Sequence, residues 1–211
     1  MTATPAGIKW REFNGDRSLA TKGHQVYGEP VDNGWRRWSR ERSKVAGMLE
    51  RGLPISITAD ATVLYLGAAT GTTVSHLADV VDHVYAVEFS PRAMDQLLTV
   101  AEDRTNIYPL LKDARTPESY AHVVESDVDL LIQDVATRGQ AAVAIANRQF
   151  LAANGQLVLA VKARSEDVTS TPATVFQDVQ NKLETAYQIT DSVSLEPHHA
   201  DHQAIVATPS Q

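Results

Sequence analysis

From residue 61 onward the chain alternates short apolar runs with amphipathic stretches, and most of the runs stop at a glycine, an acid or a lysine. Thr62–Leu66, Val84–Phe89, Ile107–Leu111, Val128–Ile132 and Gln156–Val161 read as strands. Thr73–Val81, Pro91–Ala101, Gln140–Ala153 and Pro172–Thr185 read as helices, with Ser90 as the cap of the second and Gly155 as the stop of the third. Val193–Leu195 and Gln203–Ala207 read as a last pair of strands. Strands and helices alternating this closely pack as a mostly parallel sheet with helices on both faces. In such sheets ligands sit at the carboxyl ends of the strands, so the residues just after each strand are the ones to read.

After the first run comes Gly67-Ala68-Ala69-Thr70-Gly71-Thr72-Thr73. Small residues there let backbone approach a ligand, and the following helix begins with free N–H groups. The spacing is neither a dinucleotide fingerprint nor a P-loop, and any tight strand-to-helix turn has the same look. Glu88 ends the second run about 20 positions further on, where an acid accepts from ribose hydroxyls. Asp113-Ala114 follow the third run, where a carboxylate can take an adenine amino group. These three strand ends together describe a pocket for a nucleoside with a small tail. Asp134 follows the fourth run and Lys162 the fifth; a lysine directly after a buried strand needs an acidic partner or a task, and Asp134 is the expected partner.

The first 34 residues carry scattered Gly and Pro and read as turns and short strands. From Trp35 to Arg51, Trp35, Trp38, Val45, Met48 and Leu49 recur at helix-like spacing among Arg36, Arg37, Arg40, Arg42, Lys44 and Arg51, which predicts a basic amphipathic helix. Residues 1–54 are therefore read as a small β-rich region ending in that helix, and residues 55–211 as the α/β domain. The net charge is −7, but residues 1–60 carry +3 and residues 61–211 carry −10. So acidic a body is a poor grip for nucleic acid on its own, and any contact with phosphate falls to the basic segment. Fifteen Asp against 11 Glu and 13 Arg against 6 Lys fit a salt-rich cytoplasm or simply GC-driven codon usage. With no cysteine, disulfides, thiolate metal sites and cysteine nucleophiles are excluded. No apolar run approaches a membrane span, and Met-Thr-Ala-Thr-Pro has no basic region before an apolar block, so the expected location is the cytoplasm.

The run Val63-Leu64-Tyr65-Leu66-Gly67-Ala68-Ala69-Thr70-Gly71-Thr72-Thr73-Val74-Ser75-His76 closely resembles the first motif of the fibrillarin family. Val84–Ser90, Arg104–Ile107, Asp113–Arg115, Asp134–Ala136, Lys162-Ala163, Leu195–Pro197 and Asp201-His202 follow in the family's order, and Val26–Glu29 and Arg42–Lys44 precede them. The resemblance covers nearly the whole chain from about residue 26, and points to an archaeal, haloarchaeal-like member. It implies a Rossmann-like, seven-stranded S-adenosylmethionine-dependent methyltransferase core behind a small N-terminal β-rich domain. The activity implied is 2′-O-methylation of ribose in rRNA, and in tRNA as a further substrate. The resemblance also implies a box C/D ribonucleoprotein, with guide RNA, target rRNA, a Nop-domain scaffold and a kink-turn-binding ribosomal-type protein.

The same resemblance assigns cofactor contacts to the Gly67, Ala68, Gly71, Thr72 and Thr73 turn, to Glu88 and Phe89, to Asp113 and Ala114, and to Asp134, Val135, Ala136 and Thr137. It assigns a catalytic set to Lys44, Asp134, Lys162 and His202, with no metal; His198 and His199 beside His202 lack regular ligand spacing. A ribose hydroxyl is a very weak acid, so a nearby cation that stabilises its alkoxide is the chemistry such a set supplies. Arg36, Arg37, Arg40, Arg42 and Arg51 form the expected RNA-facing edge. Three positions depart from the family pattern: Thr137 stands where glutamine is common, Gln133 where a small residue is common, and Trp38-Ser39-Arg40 replaces Trp-x-Pro. The competing readings are a stand-alone RNA methyltransferase, a cofactor-binding subunit without catalysis and, least favoured by the glycine spacing, a nicotinamide oxidoreductase.

Overall fold

The computed structural model describes residues 4–124 and 127–210 of the chain. The N-terminal part is a four-stranded antiparallel sheet of β1 (Ile8–Phe13), β2 (Asp16–Lys22), β3 (Val31–Asp32) and β4 (Trp35–Trp38), in the order β1-β2-β4-β3. Trp35–Trp38 is thus a strand, and the expected long basic helix shrinks to α1 (Lys44–Glu50), capped by the Ser43 hydroxyl on the Ala46 N–H. The spacing misleads because strand alternation puts fully buried Trp38 and Arg36 on one face and half-buried Trp35 and Arg37 on the other, which a helix pattern cannot separate.

The remaining elements are β5 (Thr62–Leu66), α2 (Thr72–Ala78), β6 (His83–Glu88), α3 (Pro91–Glu102), β7 (Ile107–Leu111), β8 (Val128–Gln133), α4 (Gln140–Asn147), β9 (Leu151–Lys162), α5 (Ala163–Glu166), α6 (Pro172–Leu183), β10 (Tyr187–Ser194) and β11 (His202–Pro209). The seven strands from β5 onward form one sheet in the order β10-β11-β9-β8-β5-β6-β7. The pairs among β7, β6, β5, β8 and β9 are parallel, and β11 runs against both its neighbours. The expected helix through Ala153 ends early: Arg148–Phe150 tighten into a 3₁₀ turn, and Leu151 already pairs with Val128. Gly155 lies inside β9, where the register with β8 slips before Gln156 pairs with Leu130. Ser90 caps α3 by accepting from the Ala93 N–H, with Pro91 at the first helical position.

Two apolar layers lie on the two faces of the large sheet. One holds Leu64, Leu66, Leu131, Leu157 and Leu159 against Ala144, Val175 and Val179. The other holds Val63, Leu77, Ile132 and Val158 and continues without a break into Ile8, Leu19, Trp38 and Val45 of the N-terminal part. The small sheet is therefore packed onto the same core that supports the strand ends. Among the described residues, no helix is long and apolar enough to cross a membrane.

Candidate active site

A cavity of about 350 Å³ opens at the carboxyl ends of β5, β6, β7 and β8. It is lined by Gly67, Glu88, Phe89, Asp113, Ala114, Asp134, Val135, Ala136 and Thr137 among the expected residues. Ala69, from the same turn as Gly67, also lines it, as do Val87, Lys112, Arg115 and Val143, which are not among the expected contacts. Lys112 and Arg115 flank the strand-end Asp113, a neighbourhood that could have been read; Val143 comes from α4, and only the tertiary fold brings it near.

Gly67 stands at a φ of +85°, and a Cβ there would come within 2.4 Å of the Asp134 carbonyl oxygen. Only glycine lets β5 and β8 end this close together. The N–H groups of Gly67 and Ala68 both donate to the Val87 carbonyl, which ties the turn to β6. The Glu88 carboxylate is buried and accepts from the Ala69 N–H at 2.8 Å and the Ser90 N–H at 2.7 Å. It therefore braces the turn while facing the cavity. Ala68, Gly71, Thr72 and Thr73 are not in the lining. Gly71 starts α2 at a φ of +87°, and the Thr73 hydroxyl donates to Ser43, linking α2 to the start of α1.

Phe89 is 71% exposed at the mouth of the cavity, unusual for so large an apolar side chain. Asp113 meets the Arg115 guanidinium at 2.5 to 3.0 Å, and this contact holds its carboxyl below the usual carboxylate range.

The expected pair of Asp134 with Lys162 does not form. Asp134 Oδ2 instead accepts from Lys44 Nζ at 2.9 Å, across from the start of α1. The register explains this: Gln133 pairs with Leu159, so Lys162 lies two residues, about 7 Å, further along its strand than the residue opposite Asp134. The Lys162 main chain is clamped by Gln140, whose Oε1 accepts from the Lys162 N–H and whose Nε2 donates to the Lys162 carbonyl. Gln133 in turn donates to the Gln140 carbonyl at 2.8 Å. Gln140 is a positioning residue that sequence reasoning missed. Among the described residues the Lys162 ammonium makes no ion pair.

Lys162 pairs in register with His202 on β11. His202 Nδ1 lies 2.7 Å from the Ala200 carbonyl, which fixes the proton on Nδ1 and leaves the Nε2 lone pair free. Burial first, then Lys44, holds the His202 pKa below the ordinary value, against the pull of the Ala200 carbonyl and Asp134. His199 packs edge-on to His202 with ring centroids 5.9 Å apart, and its Nε2 meets the Arg40 carbonyl at 2.7 Å.

The basic edge is divided by the structure. Arg36 is fully buried and cannot face RNA: it pairs with Glu29 at 2.8 Å and Asp79 at 2.7 Å and donates to Ser75. Its position in β4 turns it into the core, which corrects the expectation. Arg40 is held by Glu41 and Glu50, and Arg42 lies over Tyr27. Arg51 is exposed after α1, and Arg37 lies on the outer face of the small sheet.

A parallel sheet whose last strand, β11, is inserted in reverse between β10 and β9, with a glycine turn and acids at successive strand ends, is the architecture of S-adenosylmethionine-dependent methyltransferases. The sequence model of fibrillarin matches residues 8–211. The fibrillarin-like rRNA/tRNA 2′-O-methyltransferase of Halobacterium salinarum is 57% identical over 206 residues, 97% of this chain and 98% of that protein. Aeropyrum pernix fibrillarin with natively bound S-adenosyl-L-methionine is 42% identical with a TM-score of 0.86, covering 96% of this chain and 94% of that one. The fibrillarin of a fibrillarin/Nop5p complex is 42% identical with a TM-score of 0.91, covering 98% and 99%. The chain belongs to the fibrillarin family.

Proposed function

We infer that this chain transfers a methyl group from S-adenosylmethionine to the ribose 2′-hydroxyl of rRNA, and of tRNA as a further substrate. It acts in the cytoplasm as the catalytic subunit of a guide-RNA ribonucleoprotein. The observation that carries the reading is Asp134, which lines the nucleoside-sized cavity and holds Lys44 at its edge. The cavity residues fit the cofactor: Gly67 leaves room where any side chain would collide, and Glu88 is braced to accept from ribose hydroxyls. Asp113 and Ala114 would hold the adenine end, exposed Phe89 would pack against it, and Val135, Ala136 and Thr137 would hold the methionine end. Gly71, Thr72 and Thr73 place the start of α2 behind the turn.

Bound cofactor supplies a sulfonium-activated methyl group. The chain's residues align the acceptor and relieve its hydroxyl. Lys162, which carries no ion pair, stabilises the developing alkoxide. Asp134 favours the cationic sulfonium, and Lys44 fixes the carboxylate. His202 offers its Nε2 lone pair to the hydroxyl. Arg42 and Arg51, with Arg40 behind them, form the RNA-facing rim near α1.

The Nop5p complex of a 42% identical relative supports a Nop-domain scaffold as partner. Guide RNA and a kink-turn-binding protein complete the assembly, because a chain of net charge −7 needs them to select and hold the target. The test is methyl transfer from labelled cofactor in the assembled particle, repeated with each component omitted and with Lys162→Ala. Guide-dependent 2′-O-methylation is expected, with the variant slower by about 10²- to 10⁴-fold and cofactor binding retained. Methylation without guide or scaffold would favour a stand-alone enzyme, and binding without transfer would leave a non-catalytic subunit.

A further inference from the structure

The outer face of the small sheet carries a cluster of cations that the site above does not use. Register places Lys9, Ala20 and Arg37 side by side across three strands, with Arg11 opposite Ser18 and Lys22 opposite Trp35. Alternation turns Arg36 and Trp38 into the core, so Trp35 and Arg37 belong to the other face. Lys9 Nζ lies 4.9 Å from the centroid of the half-buried Trp35 ring and Arg11 Cζ 5.7 Å from it. Ser18 and Ala20 between the cations are buried, so the long side chains lie across small residues, with Arg11 Nε and Arg37 Nε themselves buried and, among the described residues, without a hydrogen-bond partner.

The cations are poorly matched by acids. Asp32 takes one arm of Arg11 at 2.7 Å, and Asp16 stands at the start of β2. Among the described residues Lys9, Lys22 and Arg37 make no ion pair. Some arginines elsewhere are matched, Arg36, Arg104 and Arg115 each meeting a carboxylate, whereas Arg42 and Arg51 form no ion pair among the described residues. In a chain whose residues 61–211 carry −10, four cations on one sheet face, three of them unpaired, make a local field of the opposite sign. Lys9 and Arg37 stand two strands apart, about 10 Å, so the face meets a line of anionic groups and not a single anion. It is a rigid surface, since Arg36 on the reverse side fastens β4 to Asp79 and Ser75 near the end of α2.

We propose that this sheet face, built from Lys9, Arg11, Lys22 and Arg37 around Trp35, is a second RNA contact that grips the phosphate backbone away from the methyl-transfer site. The proposal rests on RNA being the substrate. Such contacts position the RNA without reading its sequence. Each phosphate neutralised releases counterions, so the contact is visible in the salt dependence of binding.

The test titrates a fluorescein-labelled guide–target RNA duplex with the full chain over a range of salt concentrations. It compares the wild type with the triple variant Lys9→Gln, Lys22→Gln, Arg37→Gln. The expected result is weaker binding, and a slope of log affinity against log salt shallower by about 2 to 3. Cofactor binding by the variant, measured alongside, reports an intact fold. An unchanged affinity and slope would overturn the proposal while wild-type methyl transfer still stood, so the two readings fail separately. A second measurement needs no variant: acetylation footprinting of the wild-type chain, with and without the duplex. RNA should protect Lys9 and Lys22; equal acetylation in both samples would overturn the proposal. Polyglutamate of matched charge competing as well as unlabelled RNA would overturn the assignment to RNA.

Discussion

A missing side chain does more at Gly67 than most side chains do elsewhere. Its φ of +85° is open to glycine, and a Cβ would meet the Asp134 carbonyl oxygen at 2.4 Å. That oxygen is backbone and cannot swing aside, so Gly67→Ala must push β5 and β8 apart where the cavity begins. The left-handed conformation alone costs about 1–2 kcal/mol for a residue with a Cβ. That strain lowers stability; cofactor affinity should fall separately, by about tenfold, about 1.4 kcal/mol, because the displaced β8 end carries Asp134 and the cavity wall with it. Titration calorimetry with the cofactor checks this, and an alanine variant with wild-type affinity would show that the turn is not the cofactor's seat. The same residue-scale reasoning explains why Asp134 and Lys162 are both legible as strand-end residues while their partnership is not. The partnership depends on a two-residue offset between β8 and β9 and on Lys44, ninety positions away in sequence, reaching Asp134 first.

At the scale of elements, the Arg36 network joins two regions that the sequence treats separately. Its guanidinium holds Glu29 from the loop before β3 and Asp79 from the end of α2. Asp79 also accepts from the Thr21 hydroxyl of β2, and Thr21 meets His76, which stacks on Trp38 at 5.0 Å. All of these groups are buried or nearly so, and removing the cation leaves Glu29 without its ion pair and Asp79 with only the longer ion pair to Arg104 at 3.4 Å. Arg36→Ala should cost about 3–5 kcal/mol, whereas Arg51→Ala, on an exposed side chain, should stay within about 0.5 kcal/mol. Urea unfolding of the two variants against the parent checks both, and equal midpoints for all three would remove Arg36 from the frame. The α/β alternation from residue 61 is legible because the central strands carry apolar runs with marked ends, whereas β10, Tyr187–Ser194, is mostly polar and only its last residues, within the expected Val193–Leu195, are legible. The stretch from Trp35 to Trp38 is not legible, since four residues with an aromatic at each end fit either period. What decided it was pairing with Leu19 to Lys22 of β2, a contact no local pattern contains.

For the whole molecule, the pattern of buried histidines sets a direction for its response to acid. His76 is buried, and its pKa is held well below the ordinary value by burial first and then by Arg36, Arg104 and Arg42. His199 and His202 are also lowered, in each case chiefly by burial, with Lys44 adding to it. In the unfolded chain these imidazoles take protons near the ordinary value of 6.5; in the folded chain they resist until the pH is lower. Below 6.5 the unfolded state therefore binds more protons, and stability falls as pH falls toward the folded values. Above 6.5 all three are neutral in both states, and their contribution is complete. The urea midpoint should accordingly be level between pH 7 and 8 and drop between pH 6.5 and 5, before the carboxylates begin to titrate. Cofactor affinity at the same pH values separates the two places where this happens. His199 and His202 lie by Lys44 and Asp134, so their protonation adds positive charge beside the site. His76 projects from α2 onto Thr21 and Trp38 of the small sheet, so its protonation loosens that joint. His76→Gln should flatten most of the acid drop in the midpoint, because His76 is the most deeply buried of the three; a drop of unchanged depth would move the acid-sensitive point to the His199–His202 pair at the rim.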